Sequence, residues 1–301
     1  MEKNIKKLMC LSLAILLCLG TSRVTFAGEI CKQTEPFTVY SPEFPDAYII
    51  TEINTGNEIN SRSNEVSLGR VTATVFVEET YEFVNDAIVV TSSRLLSKDE
   101  VMAIGVENFK PLENQKLISP AVARNVRGTL TLTLDGSYKR VGNGVSTNVT
   151  GNAYWSGFDF LYSPKNNPAA GFDFIGVVWS GGFTSPKSRC TATWKDGGSQ
   201  SVYLADSVPT AGRVWEFEEY FNILGDMIYV DNVDINMELT KASLTGGGNT
   251  AEVVMKYIHT YQVVKGNISI SASSSGVGTG FSLSNTDKQW SIACTLTGIP
   301  Q

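Results

Sequence analysis

Hydrophobic and polar residues alternate with a period of two along most of this chain, and that rhythm predicts strands. Val71, Ala73, Val75 and Val77 share one parity, with Thr72 and Thr74 between them, inside an extended stretch over 66–90. A second strand from Ala87 is expected to fold back on it after Asn85-Asp86. Thr and Leu then alternate without a break from Thr129 to Asp135, and Val233, Ile235, Met237 and Leu239 alternate with Asp234, Asn236 and Glu238. Val253–Val264 and Trp290–Leu296 read as two more strands, while the class of Trp215–Leu224 stays open. Helical spacing occurs once, over Lys98–Asn108, where Ser97 and Glu100 form a Ser-x-x-Glu capping box and Pro111 ends the element.

The most regular stretch runs from Tyr154 to Phe183. Gly-Phe-Asp-Phe occurs at 157–160 and again at 171–174, on either side of a loop rich in Pro and Asn. Such flanks predict an antiparallel hairpin. Pairing Phe160 with Phe172 would set Phe158 opposite Phe174 and Asp159 opposite Asp173, with four rings on one face and two carboxylates on the other. Many short strands, Gly-rich turns and little helix predict an all-β fold, an antiparallel β-sandwich or open barrel. It should occupy 121–301, after a small N-terminal β-plus-helix region and connector over 28–120.

Composition adds the compartment. Lys3, Lys6 and Lys7 precede an apolar run, Leu8–Leu19, and a small-residue site ending at Ala27, the pattern of a bacterial-type signal peptide over 1–27. The mature chain is then expected to be secreted and extracellular. The chain has 24 Lys plus Arg and 30 Asp plus Glu; without Lys3, Lys6, Lys7, Arg23 and Glu2 the balance is 20 against 29, a net charge of −9. That acidity, with no basic cluster, argues against nucleic acid and against anionic membranes. Cys31, Cys190 and Cys294 remain after cleavage; Cys190 and Cys294 both fall on apolar parities, and a disulfide between them is expected in an oxidising compartment.

Candidate chemistry is sparse. The single histidine, His259, shares a parity with Met255, Tyr257, Tyr261 and Val263 and lacks any nucleophile motif, so it reads as a packed ring. Asp159 and Asp173 could serve as a glycosidase pair, with Trp155 as a stacking platform and Trp179 nearby. Asp231, Asp234, Asn236 and Glu238 miss the EF-hand spacing and read as a polar strand face, so neither a metal nor a cofactor is expected. Gly266–Thr286 carries no charge over 21 residues, and its Ile268, Ile270, Ala272, Phe281 and Leu283 alternate with Ser.

Three function readings follow, in this order. The first is a secreted non-catalytic binding protein whose ligand is a carbohydrate or another cell-surface group, with Trp155, Asp159, Asp173 and Trp179 as its binding residues. The second is a pore-forming β-toxin that enters a membrane through 266–286. The third is a glycoside hydrolase using Asp159 and Asp173.

Overall fold

The computed structural model describes residues 37–56, 59–60, 64–84, 87–109, 124–158, 172–194, 197–218, 220–223, 226–244, 250–261, 267–271, 280–284 and 288–301. Two antiparallel sheets are built from them. The smaller contains β1 (Phe37–Tyr40), and the larger contains β2 (Ile49–Asn54), β3 (Ile59–Asn60), β4 (Glu65–Val84) and β5 (Ala87–Leu95). Helix α1 (Lys98–Ile104) follows, then β6 (Arg124–Val141) and β7 (Gly144–Ser156) in the larger sheet and β8 (Phe172–Trp179) in the smaller. Next come β9 (Thr184–Trp194) and β10 (Ser199–Ser201) in the larger sheet, and β11 (Tyr203–Val208) and β12 (Gly212–Glu218) in the smaller. β13 (Tyr220–Ile223) and β14 (Asp226–Lys241) return to the larger sheet, and β15 (Thr250–Thr260) to the smaller. A separate hairpin of β16 (Ile268–Ser271) and β17 (Gly280–Leu283) precedes the last strand of the smaller sheet, β18 (Gln289–Pro300).

Six strands of the smaller sheet run in the order β1-β18-β15-β8-β12-β11, and the larger sheet has the path β10-β9-β14-β7-β6-β4-β2. Alternation decides what lies between the sheets. Leu130, Leu132 and Leu134 of β6 are fully buried beside Val71, Ala73 and Val75 of β4, and Met255, Tyr257 and Ile292 close the same core from the other sheet. Each buried Val, Leu, Ile or Met among them stabilises the fold by about 1.5–3 kcal/mol through removal from water. The outward threonines of β4 and β6 pair across strands instead, Thr74 with Thr131 at 3.0 Å and Thr72 with Thr133 at 3.3 Å. The fold is thus an all-β sandwich.

The helix is shorter than its pattern suggests. Ser97 caps it, and the Ser97 amide donates to Glu100 Oε2 at 2.9 Å. Gly105 then adopts φ 89°, a conformation that favours glycine, and the chain tightens into a 3-10 turn over Val106–Phe109. Val101, Leu96, Phe76 and Phe109 form a small core of their own outside the larger sheet.

Residues 36–301 make one compact unit, and strands from both sides of the expected boundary at 120 are hydrogen-bonded in one sheet, β4 to β6 among them. The described residues of Trp215–Leu224 form the second half of β12 and all of β13. The signal segment 1–27, Cys31, most of the connector before 124, Asp159 and Phe160 lie outside the described residues.

The expected hairpin over 154–183 is not formed. β7 pairs with β6 and β14 in the larger sheet, whereas β8 pairs with β12 and β15 in the smaller. Both edges of β8 are filled: Phe174 stands beside Glu216 on one side and Ile258 on the other. The chain therefore leaves the larger sheet at Ser156 and enters the smaller at Phe172. The described rings of the two Gly-Phe-Asp-Phe copies part company as well, Phe158 joining the central core and Phe172 and Phe174 the outer face of the smaller sheet.

Cys190 and Cys294 are both buried and both free, so the expected disulfide is absent. Topology explains this. Cys294 lies in β18, which packs over β4 and β6, while Cys190 in β9 is three strands from β6 through β14 and β7. Three strand spacings are roughly 14 Å, about twice the Cα separation a disulfide spans.

Candidate functional site

Two features stand out from this frame, one on the outer face of the smaller sheet and one behind it. The outer feature is the uncharged hairpin. Its register sets Ile268 opposite Leu283 and Ile270 opposite Phe281, so all four apolar side chains share one face, while Ser269, Ser271 and Ser282 are exposed on the other. The apolar face lies on Phe174 and Val178 of β8, Val214 of β12 and Ile258 of β15.

Two glycines shape the seat. A Cβ at Gly176 would stand 2.7 Å from the Phe281 ring, and one at Gly212 would stand 3.0 Å from Ile270 Cγ2. Absent side chains in β8 and β12 thus leave the recesses that Phe281 and Ile270 fill. Lys256 pins the hairpin from below: its Nζ donates to the Phe281 carbonyl at 3.1 Å and lies 5.9 Å from the Phe281 ring centroid. Burial pushes the Lys256 ammonium below its ordinary range, an effect that the nearby Glu43 partly offsets. Gln289 Nε2 adds a bond to the Leu283 carbonyl at 3.2 Å.

The hairpin is held by side-chain packing and these few bonds; among the described residues β16 and β17 pair only with each other. Phe281 and Leu283 are buried there, and Ile268 and Ile270 are half-buried. Lifting this element breaks no strand ladder of the sandwich.

Behind the seat, between the sheets, is a cluster of charge. Asp173 continues the inward parity of Ile175, Val177 and Trp179, and Glu79 continues that of Val75 and Val77. His259 stands between them, with Nε2 2.8 Å from Glu79 Oε1 and Nδ1 3.2 Å from Asp173. All three are buried, Asp173 completely. Donors surround both carboxylates. Tyr81 Oη and Ser93 Oγ donate to Glu79, and Tyr257 Oη and the Thr260 amide donate to Asp173. Trp155 Nε1 donates to Tyr257 Oη at 2.8 Å and Trp290 Nε1 to Ser93 Oγ at 2.8 Å, which ties the network across the two sheets.

These placements revise the expected binding site. Trp155 and Trp179 are core residues, Trp179 donating to the Phe183 carbonyl at 2.8 Å. Trp215 and Trp290 are buried too, and Trp194 is half-buried, so the described tryptophans present no exposed platform. Asp173 faces inward, where its partners are Tyr257, His259 and Thr260, and no substrate can reach it as a surface carboxylate. The packed reading of His259 agrees with its rings of contact, Trp155 at 5.4 Å and Trp290 at 5.0 Å. Its second carboxylate partner, Glu79, belongs to no sequence motif, although the parity of Val75 and Val77 carries to it.

No family model and no curated protein matches the chain. Among solved structures there is a match, at TM-score 0.22 and 9% identity, to one described as the complete structure of manganese lipoxygenase of Gaeumannomyces graminis and partial structure of zonadhesin of Komagataella pastoris. The match covers 88% of this chain and 99% of that one, and at that score it carries no argument about fold or function.

Proposed function

We propose that this protein is exported, has no enzymatic role, and acts on membranes by unfolding its 266–286 hairpin into a bilayer as part of a β-barrel pore. One observation carries the reading: an uncharged, amphipathic hairpin rests by its apolar face on the outer surface of a sandwich, outside every strand ladder of that sandwich. A membrane-crossing strand needs about 9–11 residues with apolar and polar side chains in alternation. The 21 uncharged residues from Gly266 to Thr286 supply two such strands and a turn. In the docked state Phe281 and Leu283 are covered by the sheet; in a barrel wall the same row would face lipid and the serines would face water.

The buried tryptophans and the inward Asp173 leave the carbohydrate-binding and glycosidase readings without the surface each requires. The acidic chain favours zwitterionic vesicles over anionic ones. Dye-loaded phosphatidylcholine vesicles should therefore leak on addition of the mature protein, and a variant lacking 267–285 should release no dye. Intact vesicles after exposure to the full mature chain would end the proposal and return the molecule to a cell-surface binding role.

A further inference from the structure

We propose that a pocket on the outer face of the larger sheet binds a single sugar ring, with Arg70 and Asp135 as the pair that recognises its hydroxyls. Asn54, Arg70 and Asp135 stand in one row across β2, β4 and β6, on the same outward parity as Thr72, Thr74, Thr131 and Thr133. Together with Thr55 and Ser67 they line a cavity of about 270 Å³. The pocket shares no residue with Trp155, Asp159, Asp173 or Trp179. It belongs to the larger sheet, whereas the 266–286 hairpin rests on the smaller one, so sugar binding here needs no membrane step.

A bulge builds the pocket. The pairing of β4 with β6 slips between Ser67 and Gly69, and Gly69 takes φ 97–99° territory that favours glycine, at 99°. Its amide donates to Ser67 Oγ at 3.2 Å, which fixes that hydroxyl in the wall. β2 ends beside the bulge, with Asn54 opposite Arg70. The chain then passes so close that a Cβ at Gly69 would overlap the Asn54 carbonyl oxygen, and one at Gly56 would overlap the Ser67 carbonyl oxygen. Two glycines thus let the end of β2 and the bulge close around one space.

The chemistry of the walls selects the ligand. Arg70 Nε donates to Asp135 Oδ2 at 2.9 Å, a one-point contact. Among the described residues the terminal guanidinium nitrogens and Asp135 Oδ1 take no further hydrogen bond. The two charges offset each other, so neither an anion nor a cation is drawn in by net charge. No large apolar side chain lines the cavity, so a hydrophobic ligand has nothing to pack against. What the walls offer is donors beside acceptors: guanidinium N–H groups next to a carboxylate oxygen, with the Asn54 amide and the Thr55 and Ser67 hydroxyls serving as either. Neighbouring hydroxyls of a sugar ring satisfy both, one accepting from Arg70 and the next donating to Asp135. A volume just under the roughly 300 Å³ at which drug-sized sites begin suits one ring rather than a chain.

The test is saturation-transfer NMR on the mature protein with glucose, galactose, mannose and N-acetylglucosamine, each free in solution and each displayed on agarose beads. At least one free sugar should bind, and retention on the matching beads then tells a surface glycan from a soluble sugar as the source. Arg70→Gln and Asp135→Asn should each weaken binding about tenfold, while Thr133→Val, on the same face outside the pocket, leaves it unchanged. Both variants should keep the parent melting temperature, because an exposed ion pair contributes little to stability. Without any substitution, the bound sugar should slow phenylglyoxal modification of Arg70 and not of Arg189, which is exposed on the same sheet. No transfer from any of the four sugars, equal binding by Arg70→Gln, or displacement of the sugar by phosphocholine would overturn the assignment. Phosphatidylcholine vesicles carry no sugar, so failure of this site and failure of the pore proposal are separate results.

Discussion

Single side chains set the most local expectations. Burial pushes the Cys294 thiol up to about 12 and raises Cys190 further, so neither forms a thiolate at neutral pH. A colorimetric thiol reagent should leave both unmodified in the native protein and modify both in denaturant; rapid reaction of either in the native state would contradict their place in the core. Asp173→Asn removes the partner of His259 and leaves Glu79 to face an altered ring. Disturbing the buried hydrogen bonds that the Asp173 carboxyl accepts from Tyr257 and Thr260 costs about 1–3 kcal/mol, measurable by urea unfolding. A cost below about 1 kcal/mol would mean that the cluster contributes little to cohesion. These inward acids were half legible in the sequence. Parity alone places Glu79 with Val77 and Asp173 with Ile175, but the convention that carboxylates face water pointed the other way. What overturned it is a histidine from a third strand, far away in sequence, and no local pattern announces that.

At the scale of elements, the capping box and the alternating strands were readable because each is decided within a few residues. Glu100 shows the energetics: bonds from the Arg94 guanidinium and from Ser97 hold its carboxyl down at about 2, from 4.5 ordinarily. A depressed carboxyl stabilises the fold above its unfolded value, and that share is lost as pH falls from about 4.5 towards 2. Ser97→Ala should cost about 1 kcal/mol near neutrality, and Glu100→Ala should weaken the acid dependence in that window. An unchanged unfolding midpoint at both pH values would contradict the cap. The 154–183 hairpin misled for the opposite reason. Two similar flanks around a turn-rich loop satisfy every local rule for pairing, yet pairing is a competition, and β12 and β15 take both edges of β8. Likewise the hairpin 266–286 was visible as an uncharged alternating segment, but its seat was not. Gly176 looks like a weak point in a buried strand until Phe281 is seen filling it. Gly176→Val should expel that ring and raise amide exchange in β16–β17 at least tenfold with little change in β15; uniform protection would contradict the seat.

For the molecule as a whole, the arrangement separates a stable frame from a lightly attached element. The frame is a sandwich closed by Leu, Val and Trp residues of both sheets, cross-linked by the Trp155–Tyr257 and Trp290–Ser93 bonds. The attached element carries its own apolar row and shares no strand ladder with the frame. Such an attachment lets an element leave its seat without unfolding what it leaves. The most direct measurement is a lock. Gly212 and Ile270 face each other across the seat, where a Cβ on Gly212 would lie 3.0 Å from Ile270 Cγ2. Gly212→Cys with Ile270→Cys should therefore form a disulfide that ties the hairpin to β12. Oxidised, this variant should bind phosphatidylcholine vesicles without releasing dye, and a reductant should restore leakage to the level of the parent protein. Full leakage from the oxidised, verified disulfide would show that the hairpin never needs to leave the sheet, and the account would be wrong.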